Sequence, residues 1–337
     1  MTSLRSGPVP RMAGDLTFMR STRGCVEDLT SNSLAVVGIP MEENAGADVG
    51  CRMTPQAIRE TSVYFGWHAN PQFSHPVDVD VRKQISTSSI HERMTDIGDI
   101  PVEGLSNLAA SNAIEETIRA IRNRGAASIV LSGDTRAVKT IVRTQSRNET
   151  LGFVQIGGRM PPSLLEADET GRSFIGDFVS EGVLVPSNIA MIAPARAPSR
   201  DVVRQFRDRG SYLFSATQVM STEAHQLRSV FQTISQKVDS LIVNLDLSAV
   251  ASPLHGMSPI RRIDGVSVSK LQAMLTDVGQ TPVSTLIVSG MNPTVNGMSI
   301  VKTGQRLLMT ALLGYIYGRL GILKSLQREE VEYAIER

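Results

Sequence analysis

From Leu34 onward the chain alternates apolar runs of strand length with longer amphipathic segments, and this alternation limits what it can fold into. Strand candidates are Leu34–Pro40, Ser128–Leu131, Gly152–Ile156, Ile189–Ile192, Tyr212–Ser215, Ser240–Asp246 and Thr285–Ser289. Between them lie helix candidates at 55–65, 107–123, 136–147, 200–209, 222–237, 268–278 and 304–318. Strands separated by helices predict an α/β fold, with a mostly parallel sheet covered on both faces. Right-handed crossovers then carry the carboxyl ends of the strands to one edge, where α/β proteins keep their chemistry.

The helix signals agree with this reading. Thr54 precedes Pro55, which predicts a capping hydroxyl followed by proline at the first helical position. Leu307, Leu308, Ala311, Leu312 and Tyr315 mark a broad apolar face on the last helix, suited to the sheet or to a subunit interface. Residues 1–33 are polar and irregular, with Pro8 and Pro10, and read as an arm. Residues 34–323 read as one domain without a linker, and 324–337 as a charged tail forming a surface helix or an arm.

Composition excludes several classes. The 337 residues are 41% hydrophobic and 20% charged, enough to build a sizeable core. A net charge of +1 gives no bulk attraction to nucleic acid or to an anionic membrane. Two cysteines, Cys25 and Cys51, are too few for a disulfide framework and fit a reducing compartment. No apolar stretch is long enough for a membrane span or a signal-peptide core, so a cytoplasmic protein is expected.

The strand ends are sparse. SIVLSGDT (128–135), GFVQIGGRMP (152–161) and LIVNLDLS (241–248) together hold two aspartates, one arginine and no histidine. The segment 36–62 carries Arg52, Pro55, Ala57, Ile58, Arg59 and Ser62 in the order found at the opening of the ureohydrolases, the arginases and agmatinases. DIGDI (96–100) resembles that family's D-x-G-D-V strand, SGDT its G-G-D-H motif, VNLDLS its S-x-D-x-D motif, and GMNPT (290–294) its E-x-N-P segment. The resemblance runs from about Leu34 to about Leu320.

It implies a three-layer α/β/α arginase-like fold, assembly into trimers or hexamers, and two manganese ions at the strand ends activating a hydroxide against a guanidinium carbon. Paired metals lower the pKa of bound water, and such hard cations require dense carboxylate and imidazole ligands. Carried across position by position, the ligands fall on Thr135, Gly157, Arg159, Pro161, Asp246 and Ser248, and only Asp246 retains a ligand side chain. The glutamate that grips the guanidinium falls within SPIR (258–261), and a further histidine near Gly171. None of His68, His75, His91, His225 and His255 falls at a strand end.

The expectation is therefore a catalytically inactive arginase/agmatinase-like protein with no metal and no cofactor. It would bind a small guanidino or amino ligand, regulate, or accompany an active relative. The alternative is a hydrolase of a guanidino or amidino compound, working through a rebuilt site or through ligands outside these motifs, with Cys51 and His255 as candidates. Arg159, Asp246, Thr135, Ser248 and His255 are the candidate residues of the remaining cleft. Arg159 is expected to pair with Asp246, because a lone buried carboxylate is costly. Asp96, Asp99, Asp134 and Asn292 read as structural.

Overall fold

The computed structural model describes residues 15–42, 49–65, 77–78, 83–85, 92–168, 173–195, 197–251, 258, 260, 262–294, 298–321 and 323–325. For 77–78, 83–85, 224–225, 298–301 and 323–325 it describes the backbone alone.

The strands are β1 (Thr22–Arg23), β2 (Leu34–Gly38), β3 (Val77–Asp78), β4 (Lys83–Ile85), β5 (Met94–Asp99), β6 (Ala127–Leu131), β7 (Leu151–Ile156), β8 (Ile189–Ile192), β9 (Tyr212–Phe214), β10 (Ser240–Asp246), β11 (Val283–Ser289) and β12 (Leu323–Ser325). Nine form one sheet in the order β1-β5-β2-β6-β11-β10-β7-β8-β9, and every pairing is parallel. β12, β4 and β3 form a small antiparallel sheet.

The helices are α1 (Thr54–Ser62), α2 (Asn107–Asn123), α3 (Thr135–Ser146), α4 (Ile175–Ser180), α5 (Arg200–Asp208), α6 (Ala216–Ser221), α7 (Ala224–Ser235), α8 (Val268–Gln280) and α9 (Met298–Leu320). One face of the sheet buries Ile58, Phe231, Leu275 and Leu312 of α1, α7, α8 and α9. The other buries Ile114, Ile141, Phe178 and Phe206 of α2, α3, α4 and α5. Alternation along a strand supplies both cores: Val243 and Leu245 face the first, Ile242 the second. Among the described residues no helix is long and apolar enough to cross a membrane.

Three local expectations are corrected. Thr54 does not cap its helix; its hydroxyl donates to the Met291 carbonyl at 2.9 Å, tying α1 to the loop after β11. The segment 15–33 is more than a surface wrap. Phe18 and Met19 are wholly buried, and β1 adds an edge strand beside β5. Leu323–Ser325, expected at the start of a helical or irregular tail, is a strand against β4.

The buried Arg59 anchors this N-terminal segment indirectly. Its Nε and one terminal nitrogen grip both oxygens of Asp96 at 2.8 and 2.9 Å, and its other terminal nitrogen reaches Asp99 at 2.5 Å. Asp96 also accepts the Phe18 amide at 2.7 Å. Asp96 and Asp99 thus have the structural role expected of them.

Candidate functional site: the carboxyl ends of the central strands

Strands β6, β11, β10, β7 and β8 are neighbours, so the segments after them share one edge. Asp246 closes β10 and is buried. Its Oδ1 accepts the Ser248 amide at 2.9 Å and the Ser248 hydroxyl at 2.6 Å, capping the short turn Leu247–Ala249. The Ser248 oxygen in turn accepts the Gly158 amide at 2.8 Å. A continuous relay, Gly158 N–H to Ser248 O–H to Asp246, therefore stitches the end of β7 to the end of β10. Each polar group along it is satisfied, as burial demands.

Gly157 turns sharply at this junction, with φ of 76° and its amide donated to the Ile192 carbonyl at 2.8 Å. A Cβ at this position would lie 2.6 Å from both the Ala249 nitrogen and the Asp246 carbonyl oxygen. The backbone of the neighbouring turn already fills the space a side chain would need.

Beneath the relay, Asn244 donates to Gln155 across the β7–β10 pairing at 2.9 Å, and both are buried. Asn244 Oδ1 and the buried Ser289 hydroxyl have no hydrogen-bond partner among the described residues. The expected pair of Arg159 with Asp246 is not formed. Arg159 is half-buried and makes no hydrogen bond or ion pair among the described residues. Neutral donors from Ser248 reach the carboxylate from two residues away. Thr135 is exposed at the first position of α3 and stays outside the relay, while Pro161 is buried. Gly171 and His255 lie outside the described residues, as do the side chains of the other four histidines.

Asp134 has a supporting role. It caps α3 by accepting the Arg136 amide at 2.7 Å and pairs with the Arg136 guanidinium at 2.8 Å. Asn292 also supports a loop, donating to the Val49 carbonyl at 2.7 Å. Cys51 is buried at the start of the turn Cys51–Met53.

Arg262 lies outside the family motifs. Its buried guanidinium donates to the carbonyls of Ala193 at 2.9 Å, Pro194 at 3.1 Å and Ser248 at 3.4 Å, and grips Asp264 at 2.7 Å. It joins the segments after β8 and β10. Its hydrogen bond and charge hold Asp264 below the usual carboxylate range. The only sequence signal was an arginine within a loop otherwise built for turns.

Among the described residues there is no group of three or more His, Cys, Asp or Glu side chains that could hold a metal. The ends of β7 and β10 present the Asp246 carboxylate, bonded to its own turn, and the Arg159 guanidinium, for which no partner is found among the described residues.

The sequence model of the arginase family matches residues 32–314. A guanidinopropionase of Pseudomonas aeruginosa is 25% identical over 200 residues, which cover 56% of this chain and 56% of that protein. The match therefore spans little more than half of the relative's length. Among solved structures, proclavaminate amidino hydrolase from Streptomyces clavuligerus aligns over 92% of this chain and 99% of its own, with a TM-score of 0.69 at 20% identity. Formimidoylglutamase from Bacillus subtilis aligns over 95% and 96%, with a TM-score of 0.72 at 14% identity. These likenesses establish the shared fold, and the family match covers most of the chain: this protein belongs to the arginase family.

Proposed function

We propose that this member of the arginase family acts without a manganese pair, as a ligand-binding or regulatory protein rather than a hydrolase. The observation that carries the reading is the closure at Gly157. At a position where the family resemblance calls for a carboxylate, a Cβ would meet two backbone atoms at 2.6 Å. A missing ligand could be a simple substitution. Here the neighbouring turn occupies the space that a side chain at 157 would need.

The residues present also fit a metal pair poorly. Two divalent cations carry about four positive charges and need several anionic oxygens to balance them. Asp246 is one carboxylate whose Oδ1 already serves Ser248, and Arg159 adds a positive charge at a position expected to supply a ligand. Exposed Thr135 and ring-closed Pro161 offer no anion. No hydrolytic step is assigned to such a centre.

The ligand class we favour is a small guanidino or amino compound, in keeping with the names of the relatives. The same reading takes the chain as a cytoplasmic homo-oligomer or as the partner of an active relative. Urea release from arginine, agmatine and 3-guanidinopropionate, with the protein in excess manganese, tests the loss of catalysis. We expect no release above the protein-free background; sustained turnover of any of the three would overturn the reading.

A further inference from the structure

We propose that a groove at the outer edge of the sheet, between β9 and α5, binds a small and largely apolar molecule that carries one hydrogen-bond-donating head group, such as a primary amine. It encloses about 600 Å³, within the ordinary range for small-ligand pockets. Its lining includes residues that follow β8 and β9, on the side of the sheet where α/β proteins take ligands. It is separate from the Asp246 relay, although Arg262 touches both.

The chemistry of the occupant follows from what the lining has left to offer. Most polar side chains there are already spoken for. Ser211 donates to the Pro186 carbonyl at 2.6 Å. Ser215 and Gln218 cap each other's amides at 3.2 and 2.8 Å. The Arg262 guanidinium is spent on Asp264 and on backbone carbonyls. Arg207 pairs with Asp208 at 3.0 Å, and beside Thr217 what remains is chiefly apolar: Pro194, Pro198, Val203, Phe206, Leu213 and Ala216. Val203 is 43% exposed, so an occupant would remove real apolar surface from water.

Asp264 sets the head group. Its side chain is 75% exposed, and each of its oxygens takes one bond from Arg262. A carboxylate can accept about four hydrogen bonds, so Asp264, which lines the groove, keeps acceptor capacity. Arg262 offsets the charge, which makes the attraction short-ranged. Arg207, also in the lining, is paired with Asp208, so Asp264 sets the preference for donors such as amines, amidines or hydroxyls over carboxylates.

The test is fluorine NMR of the full chain with 4-fluorobenzylamine and 4-fluorobenzoate. The amine should show saturable line broadening with a Kd below about 1 mM, and the benzoate none in that range. Ala197→Trp, at an exposed wall position, should weaken amine binding at least tenfold. Leu108→Trp, on α2 beside the far half of the sheet, should leave binding unchanged. Asp264→Asn leaves the Arg262 charge uncompensated and should reverse the preference toward the benzoate. Circular dichroism of each variant checks that the fold is kept. The proposal is overturned if the wild-type protein shows no saturable amine binding, if it prefers the benzoate, or if folded Ala197→Trp binds the amine as well as wild type. None of these readouts depends on whether the chain hydrolyses guanidines.

Discussion

Ser248 donates its hydroxyl proton to Asp246 across 2.6 Å and accepts the Gly158 amide at 2.8 Å with the same oxygen. A hydroxyl can do both at once; a carboxylate at this position could accept from Gly158 but could donate nothing to Asp246. The relay therefore depends on serine in place of an acid.

Ser248→Ala removes both hydrogen bonds and strands the Gly158 amide in a buried setting. Urea denaturation should show a loss of about 1–3 kcal/mol. A change within a few tenths of a kcal/mol would mean the relay contributes little.

Ser248→Asp sets a second carboxylate against Asp246. Like charges raise the pKa of the pair, so the folded state holds a proton more tightly than the unfolded chain. Stability should then be retained at low pH and fall as pH rises through the raised value. Equal melting temperatures at pH 5 and pH 8, each measured relative to wild type, would contradict this.

Gly157→Ala combines a left-handed backbone with two backbone contacts at 2.6 Å. Gly182 has a similar φ of 72° with nothing within 4 Å of its would-be Cβ, so Gly182→Ala isolates the backbone strain. We expect about 1 kcal/mol at 182 and at least about 2 kcal/mol more at 157. Equal costs at the two positions would show that the neighbouring turn yields easily.

Arg59→Met leaves Asp96 buried without its cation, at an expected cost of about 3–5 kcal/mol, and Asp96→Leu in the same chain should recover part of it. Asp96 also accepts the Phe18 amide, so hydrogen exchange at Phe18 should quicken in the single variant. Unchanged protection there would separate the ion pair from the docking of the N-terminal segment.

Tyr315 is wholly buried, its hydroxyl has no partner among the described residues, and burial pushes its pKa up from 10.0 to about 12. The unfolded chain ionises first on raising pH. The stability linked to this group is fully present below pH 10 and is lost as pH rises through about 12. Tyr315→Phe should remove that alkaline loss and leave neutral-pH stability unchanged or raised, because it deletes an unsatisfied group. An unaltered alkaline profile would refute the assignment.

The sheet was legible because its signal is repeated. Apolar runs such as Ser240–Asp246 are bounded by turns and separated by helical periods, and each strand supports the placement of the next. β1, with two residues, carries no such period, and Phe18 and Met19 looked like part of a polar arm. Their burial arises from the distant Asp96 and from the Ser62 hydroxyl, which accepts the Met19 amide at 2.8 Å. At the strand ends the family resemblance indicated which expected ligand residues have other side chains in their places. It did not show what had replaced their interactions. Charge balance favours Arg159 as the partner of Asp246, whereas the carboxylate accepts from a serine two residues away. Such short-range satisfaction competes well with a long side chain that must lose rotamer freedom to reach its partner. Arg262 was missed for a related reason: apart from Asp264, its partners are backbone carbonyls, which leave no mark in a sequence.

The central claim is that these strand ends have lost the manganese pair, and metal content tests it most directly. The full chain, expressed and purified in excess manganese and then freed of unbound ion, is assayed by plasma mass spectrometry. The account predicts far less than one manganese per chain. A stoichiometry near the ~two ions of a bridged centre, together with a manganese-dependent rise in melting temperature, would contradict it.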